Sequence, residues 1–153
     1  MPDRPSLRNP DLPYRTGTFL VTFVTAHRRP LLGQIHDGAF VPSVVGRIVE
    51  ESIEWTGAGP MGARVLAAQC MPDHVHIVVD LRVARAGLGR FVATVKARAT
   101  REAHRHHHIP ATTPLWQRSY HDRWLTSAVA ACRAIRYVEA NPEQAAERRK
   151  TSR

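Results

Sequence analysis

Apolar residues along this chain switch between the two-residue alternation of a strand and the roughly 3.6-residue period of a helix. The order of the switches constrains the fold more than any single motif. Residues 16–25 (TGTFLVTFVT) are β-branched and aromatic and stop at a polar His-Arg-Arg-Pro turn, as a strand does. Over residues 40–55, Val41, Val44, Val45, Ile48, Val49, Ser52 and Ile53 recur at helical spacing, with Arg47, Glu50, Glu51 and Glu54 between them. A Gly-Ala-Gly-Pro breaker at 57–60 precedes two apolar stretches, 63–70 and 74–81, joined through Met71-Pro72-Asp73 and read as adjacent strands.

Residues 88 to about 103 form a second helix with Leu88, Phe91, Val92, Val95 and Ala99 on one stripe. Its other face is basic, carrying Arg90, Lys96, Arg98, Arg101 and Arg105, and is a candidate phosphate contact. Residues 115–126 (LWQRSYHDRWLT) are aromatic and basic, an extended segment or strand. A third helix is expected over 127–140, capped by Ser127 and stopped by Pro142, which disfavours α geometry at Asn141. The order strand, helix, strand, strand, helix, strand, helix predicts an α+β fold, a two-layer sandwich whose antiparallel sheet carries helices on one face. Residues 1–15 are expected to be a flexible leader, 16–142 one catalytic domain, and 143–153 a frayed charged tail.

The chain of 153 residues has 22 Lys and Arg against 13 Asp and Glu, a formal charge of +9, which favours a polyanionic partner. Nucleic acid is preferred to an anionic membrane because no basic amphipathic helix with a broad aromatic face is present. No apolar run approaches the ~20 residues of a membrane span, and the proline-rich beginning has no signal core, so a cytoplasmic location is expected. Cys70 and Cys132 lack CxxC partners and are read as reduced structural thiols.

In a strand, His74 and His76 project to one side while Val75, Ile77 and Val79 turn to the other. Neutral imidazoles so paired make a metal clamp, although a bare His-x-His is more often two polar residues on a half-exposed strand. Tyr137 and Asn141, four apart, share a helix face. Asn141 can complete the metal's protein ligands and leave positions for phosphate oxygens, and Tyr137 can then attack phosphorus. The alternatives are a packed tyrosine and a simple helix terminator. Tyr120 is a rival nucleophile with His121 as an extra base or ligand, but beside Trp116, Arg118 and Trp124 it suits packing or base stacking better. His104, His106, His107 and His108 lie among arginines and read as a solvated or phosphate-contacting loop.

The Met-Pro-x-His-Val-His strand, the Leu115-Trp-Gln-Arg segment followed by Tyr120-His-Asp, and the closing Tyr137-x-x-x-Asn-Pro occur in an order that resembles the IS200-like (HUH, single-tyrosine) transposase superfamily, and within it the REP-associated tyrosine transposase branch. The resemblance implies a ferredoxin-like core. It also implies that His74, His76 and Asn141 hold a divalent metal, Mg²⁺ or Mn²⁺, and that Tyr137 is the nucleophile. The implied activity is cleavage and strand transfer of single-stranded DNA beside a hairpin, through a 5′-phosphotyrosine link with a free 3′-hydroxyl. Arg90, Lys96, Arg98, Arg101, Arg105, Trp116, Arg118, Tyr120 and His121 are candidate DNA contacts. A monomer is favoured over a homodimer. The sequence after Asn-Pro is less apolar than that of family members, so hairpin recognition is expected to differ, whereas Asp73, standing where they often have Asn or Glu, is a harmless departure. Two alternatives stay open: a non-catalytic hairpin-binding relic of the fold, and a metal-dependent nuclease using water.

Overall fold

The computed structural model describes residues 16–59 and 61–151, so the expected leader at 1–15 lies outside the described residues. The chain runs β1 (Thr18–Val24), a 3₁₀ turn (Ala26–Arg28), β2 (Gly33–His36), β3 (Ala39–Pro42), α1 (Val44–Ala58), β4 (Arg64–Met71), β5 (His74–Asp80), α2 (Leu88–Arg105), β6 (His121–Trp124) and α3 (Ala128–Thr151). The main sheet has four strands in the order β4-β5-β1-β6, with every neighbour antiparallel. With the β2–β3 hairpin set aside, the chain from β1 to β6 is β-α-β-β-α-β with its first and third strands central, the split βαβ arrangement of ferredoxin-like folds.

Alternation along β1 and β5 divides the molecule into two cores. Phe19, Val21 and Phe23 of β1 and Val75, Ile77 and Val79 of β5 pack with Val49 of α1 and Phe91 and Val95 of α2. Val78 faces the other way, where it meets Ala134 and Val138 of α3, with Ala67 and Leu125. The α+β class and antiparallel sheet are as expected, but the helices are divided: α1 and α2 cover one face and α3 the other. Periodicity shows which residues of a helix share a stripe and does not say which side of the sheet receives it.

Three local readings also differ. The first helix begins at Val44 rather than Phe40, because Phe40 and Val41 belong to β3. Asp37 and Gly38, both at positive φ (49° and 77°), close that hairpin with the two-residue turn that suits the strand twist. The third helix starts as expected, with Ser127 Oγ accepting from Ala130 N–H at 3.1 Å, but passes through Pro142 to Thr151. Val138 and Pro142 are buried and Ala145 and Ala146 half-buried at helical spacing, so packing outweighs the local cost of proline. The residues expected to fray after 142 are thus the last turns of α3. Both cysteines are free; Cys70 is buried, whereas Cys132 is exposed on α3 and has no structural role in the core. No helix among the described residues is long and apolar enough to cross a membrane.

The entry to α1 is held tightly. Ser43 Oγ accepts from Gly46 N–H at 3.0 Å and donates to the Leu31 carbonyl at 2.6 Å. A Cβ at Gly46 would stand 1.9 Å from the Leu32 carbonyl oxygen, backbone that cannot swing away. Gly46→Ala is therefore expected to destabilise the protein by about 3 kcal/mol or more, despite alanine's better helix propensity. Urea unfolding of the two proteins checks this; a stabilised variant would mean that this approach is not as close as described.

Candidate active site

The register of the sheet assembles a polar row on the α3 face. His76 of β5 lies opposite Thr22 of β1 and Gln69 of β4, and Thr22 in turn lies opposite His121 of β6. Residues directly opposite in antiparallel strands share a face, so Gln69, His76, Thr22 and His121 line up across the sheet. His74 is next along β5 on the same side, its ring centroid 4.7 Å from that of His76.

Each imidazole is held through Nδ1. His74 Nδ1–H donates to Asp73 Oδ1 at 2.6 Å, and Asp73 is also 3.5 Å from the Arg28 guanidinium. His76 Nδ1 is hydrogen-bonded to Thr22 Oγ1 at 2.7 Å. Burial of His76, at 8% exposure, lowers its pKa to about 4, and the neighbouring His74 adds to the effect. His76 is therefore neutral at physiological pH with a lone pair available for a ligand.

Tyr137 comes down from α3 onto this pair. Its ring stands edge-on to His76 with centroids 5.6 Å apart, and the residue is 43% exposed. Asn141, half-buried, is one turn further along the same face of α3. Two imidazoles and a carboxamide oxygen are a donor set that suits a divalent ion and leaves coordination positions for other oxygens. Among the described residues no group of three or more His, Cys, Asp or Glu gathers, so these side chains alone do not build a closed metal cage.

The other candidates are dispersed. Tyr120 packs against the α1/α2 core, where a Cβ on Gly89 would meet its hydroxyl at 3.5 Å. The sheet thus separates Tyr120 from the histidine pair. Trp116 is half-buried edge-on to Phe23, with centroids 4.9 Å apart. The basic stripe of α2 also belongs to the far face: Lys96 Nζ donates to the Gln117 and Ser119 carbonyls at 3.0 and 2.6 Å, and the Arg98 guanidinium lies 4.7 Å from the Trp55 ring centroid. Arg90, Arg101, Arg105, Arg118 and His121 are exposed, but of these only His121 falls in the polar row. In the distal loop, His104 bonds the Thr113 carbonyl and His106 lies 3.6 Å from Glu102, while His107 and His108 are exposed. Thr22 and Gln69, which sequence patterning does not single out, enter the site through strand register alone.

The depressed pKa of His76 has a measurable consequence. In the unfolded chain the group titrates near 6.5 and in the folded protein near 4, so the native state binds fewer protons between those values. Stability from this group is complete above about pH 6.5 and is lost as pH falls toward 4, about 3 kcal/mol in all. Urea unfolding of metal-free protein at pH 7.5 and 4.5 should show this loss, reduced in His76→Gln. An equal acid loss in that variant would assign it to other groups.

Comparison with known proteins places the same residues in a family context. The family model described as "Transposase IS200 like" matches residues 21–141, from β1 through Asn141. A solved structure of a REP-associated tyrosine transposase bound to a REP hairpin superposes with a TM-score of 0.67 at 14% identity, covering 90% of this chain and 74% of that one. A candidate transposase from Deinococcus radiodurans R1 superposes with a TM-score of 0.50 at 19% identity, covering 86% and 95%. No curated protein gives a significant sequence match. At these identities the structural likeness is one of fold.

Proposed function

The chain belongs to the IS200-like transposase family, and from that premise we propose that it nicks and rejoins single-stranded DNA beside a hairpin through a 5′-phosphotyrosine link at Tyr137. The observation that carries this reading is the edge-on contact of an exposed phenol with a buried, neutral imidazole that shares its strand face with a second one. His74 and His76, through Nε2, and Asn141 would hold a divalent ion, Mg²⁺ or Mn²⁺. When bound, such an ion supplies Lewis-acid polarisation of the scissile phosphate and neutralises charge that builds during displacement.

The chain's own residues supply the rest. Tyr137 Oη forms a bond to phosphorus as the bond from phosphorus to the 3′-oxygen breaks, and the phenolic proton passes to solvent at the exposed side chain. The departing oxygen takes up a proton and leaves as a free 3′-hydroxyl. The phosphodiester is exchanged rather than hydrolysed, so attack by a 3′-hydroxyl on the phosphotyrosine reverses the step and joins strands. The α3 face of the sheet carries His121 and Arg123 of β6 on the same side as His76. The DNA strand is assigned to the α3 face; Lys96 and Arg98 serve packing, and Arg90, Arg101 and Arg105 lie away from the reacting phosphate.

A single-stranded hairpin oligonucleotide labelled at its 3′ end, incubated with the protein and Mn²⁺ and run on a denaturing gel, tests this reading. Label migrating with the protein is the expected result. Cleavage without an adduct would favour hydrolysis by water, and binding without cleavage a non-catalytic hairpin binder.

A further inference from the structure

We infer that Thr22 and Asp73 are positioning residues that select the Nδ1–H tautomer of His76 and His74, leaving both Nε2 lone pairs for the ion. The inference rests on the reading of the histidines as a metal clamp. A neutral imidazole carries one N–H and one lone pair, and the group that binds the N–H decides which nitrogen can ligate. At His74 the assignment follows from chemistry: the Asp73 carboxylate can only accept, so the 2.6 Å contact puts the proton on Nδ1. At His76 the partner is the Thr22 hydroxyl at 2.7 Å, which can donate or accept; accepting from Nδ1–H is the sense that leaves the Nε2 lone pair for the ion.

Both partners are themselves fixed by β1 and the residue that follows it. Thr22 is β-branched in a central strand, directly opposite His76 in the register, so its hydroxyl has little rotational freedom. Three residues on, the fully buried Thr25 donates its N–H to the Asp73 carbonyl at 2.9 Å, and its hydroxyl lies 3.1 Å from that carbonyl and 2.7 Å from the Arg29 carbonyl. The Asp73 backbone is thereby tied down, and its carboxylate meets both His74 and Arg28. One continuous segment, β1 and the residue that follows it, thus meets both imidazoles, His76 directly through Thr22 and His74 through Thr25 and Asp73. The Asp73 carboxylate also raises the basicity of the imidazole it holds.

The test reads tautomers in the metal-free protein and then Mn²⁺ affinity. Two-bond ¹H–¹⁵N correlation spectra of histidine-labelled protein should show His74 and His76 as Nδ1–H tautomers. Thr22→Val, which keeps the shape and removes the hydroxyl, should convert His76 to a mixture and weaken Mn²⁺ binding roughly 10–100-fold by electron paramagnetic resonance; Thr22→Ser should restore both. Asp73→Ala, in a half-buried turn, makes the same test at His74 should the valine variant not fold. Unchanged tautomers with Mn²⁺ affinity within about twofold of the parent protein would overturn the assignment while leaving the clamp intact. A parent protein that does not bind Mn²⁺ would overturn the clamp, and this inference with it.

Discussion

Tyr137→Phe is expected to abolish the covalent protein–DNA adduct and to lower strand cleavage by on the order of 10³-fold or more, with hairpin binding preserved. The substitution removes one oxygen and leaves the ring against His76, from which its centroid is 5.6 Å away. Because Tyr137 is 43% exposed, losing the hydroxyl strands no buried partner, and the folded state should be unaffected. Tyr120→Phe is the informative control. Its hydroxyl lies beside Gly89 on the α1/α2 face, with the sheet between it and the histidines, so the adduct should persist. The opposite pattern, an adduct in Tyr137→Phe and none in Tyr120→Phe, would remove Tyr137 from the reaction.

What could be read before the fold was known is governed by range. His74 and His76 share a face because a strand alternates, and Tyr137 and Asn141 because a helix turns in about 3.6 residues; both are local facts. Ser127 was likewise legible as a cap from its own neighbourhood. Thr22 was not, because its role depends on the pairing of β1 with β5 across 54 positions of sequence. The basic stripe of α2 illustrates the same limit from the other side: the stripe was visible, but the sheet face to which α2 would dock was not, and that face decides whether Lys96 and Arg98 meet DNA or bind within the chain. Two signals were present and outweighed. Asp37-Gly38 is a strong hairpin turn, hidden by the apolar spacing of Phe40 and Val41 that continues into α1. Pro142 reads as a terminator on local grounds, and only the buried stripe beyond it carries the helix to Thr151.

The second large effect is expected at the histidine pair, where the decisive quantity is how two losses combine. His74→Ala and His76→Ala should each lower Mn²⁺ affinity at least about 100-fold and cleavage on the order of 10³-fold, since a clamp with one jaw leaves the ion to water and substrate. Their effects on stability should differ. The His74 side chain is 22% exposed at the end of β5, whereas His76 is buried between Thr22 and Tyr137, so His76→Ala leaves a cavity and an unpaired hydroxyl and should cost about 1–3 kcal/mol while His74→Ala costs little. Groups that act as a unit lose their contribution once, so the double variant should cleave no more slowly than the worse single one. Measured cleavage rates that instead fall by the product of the two single losses would mean that the imidazoles act independently, and that they do not share an ion.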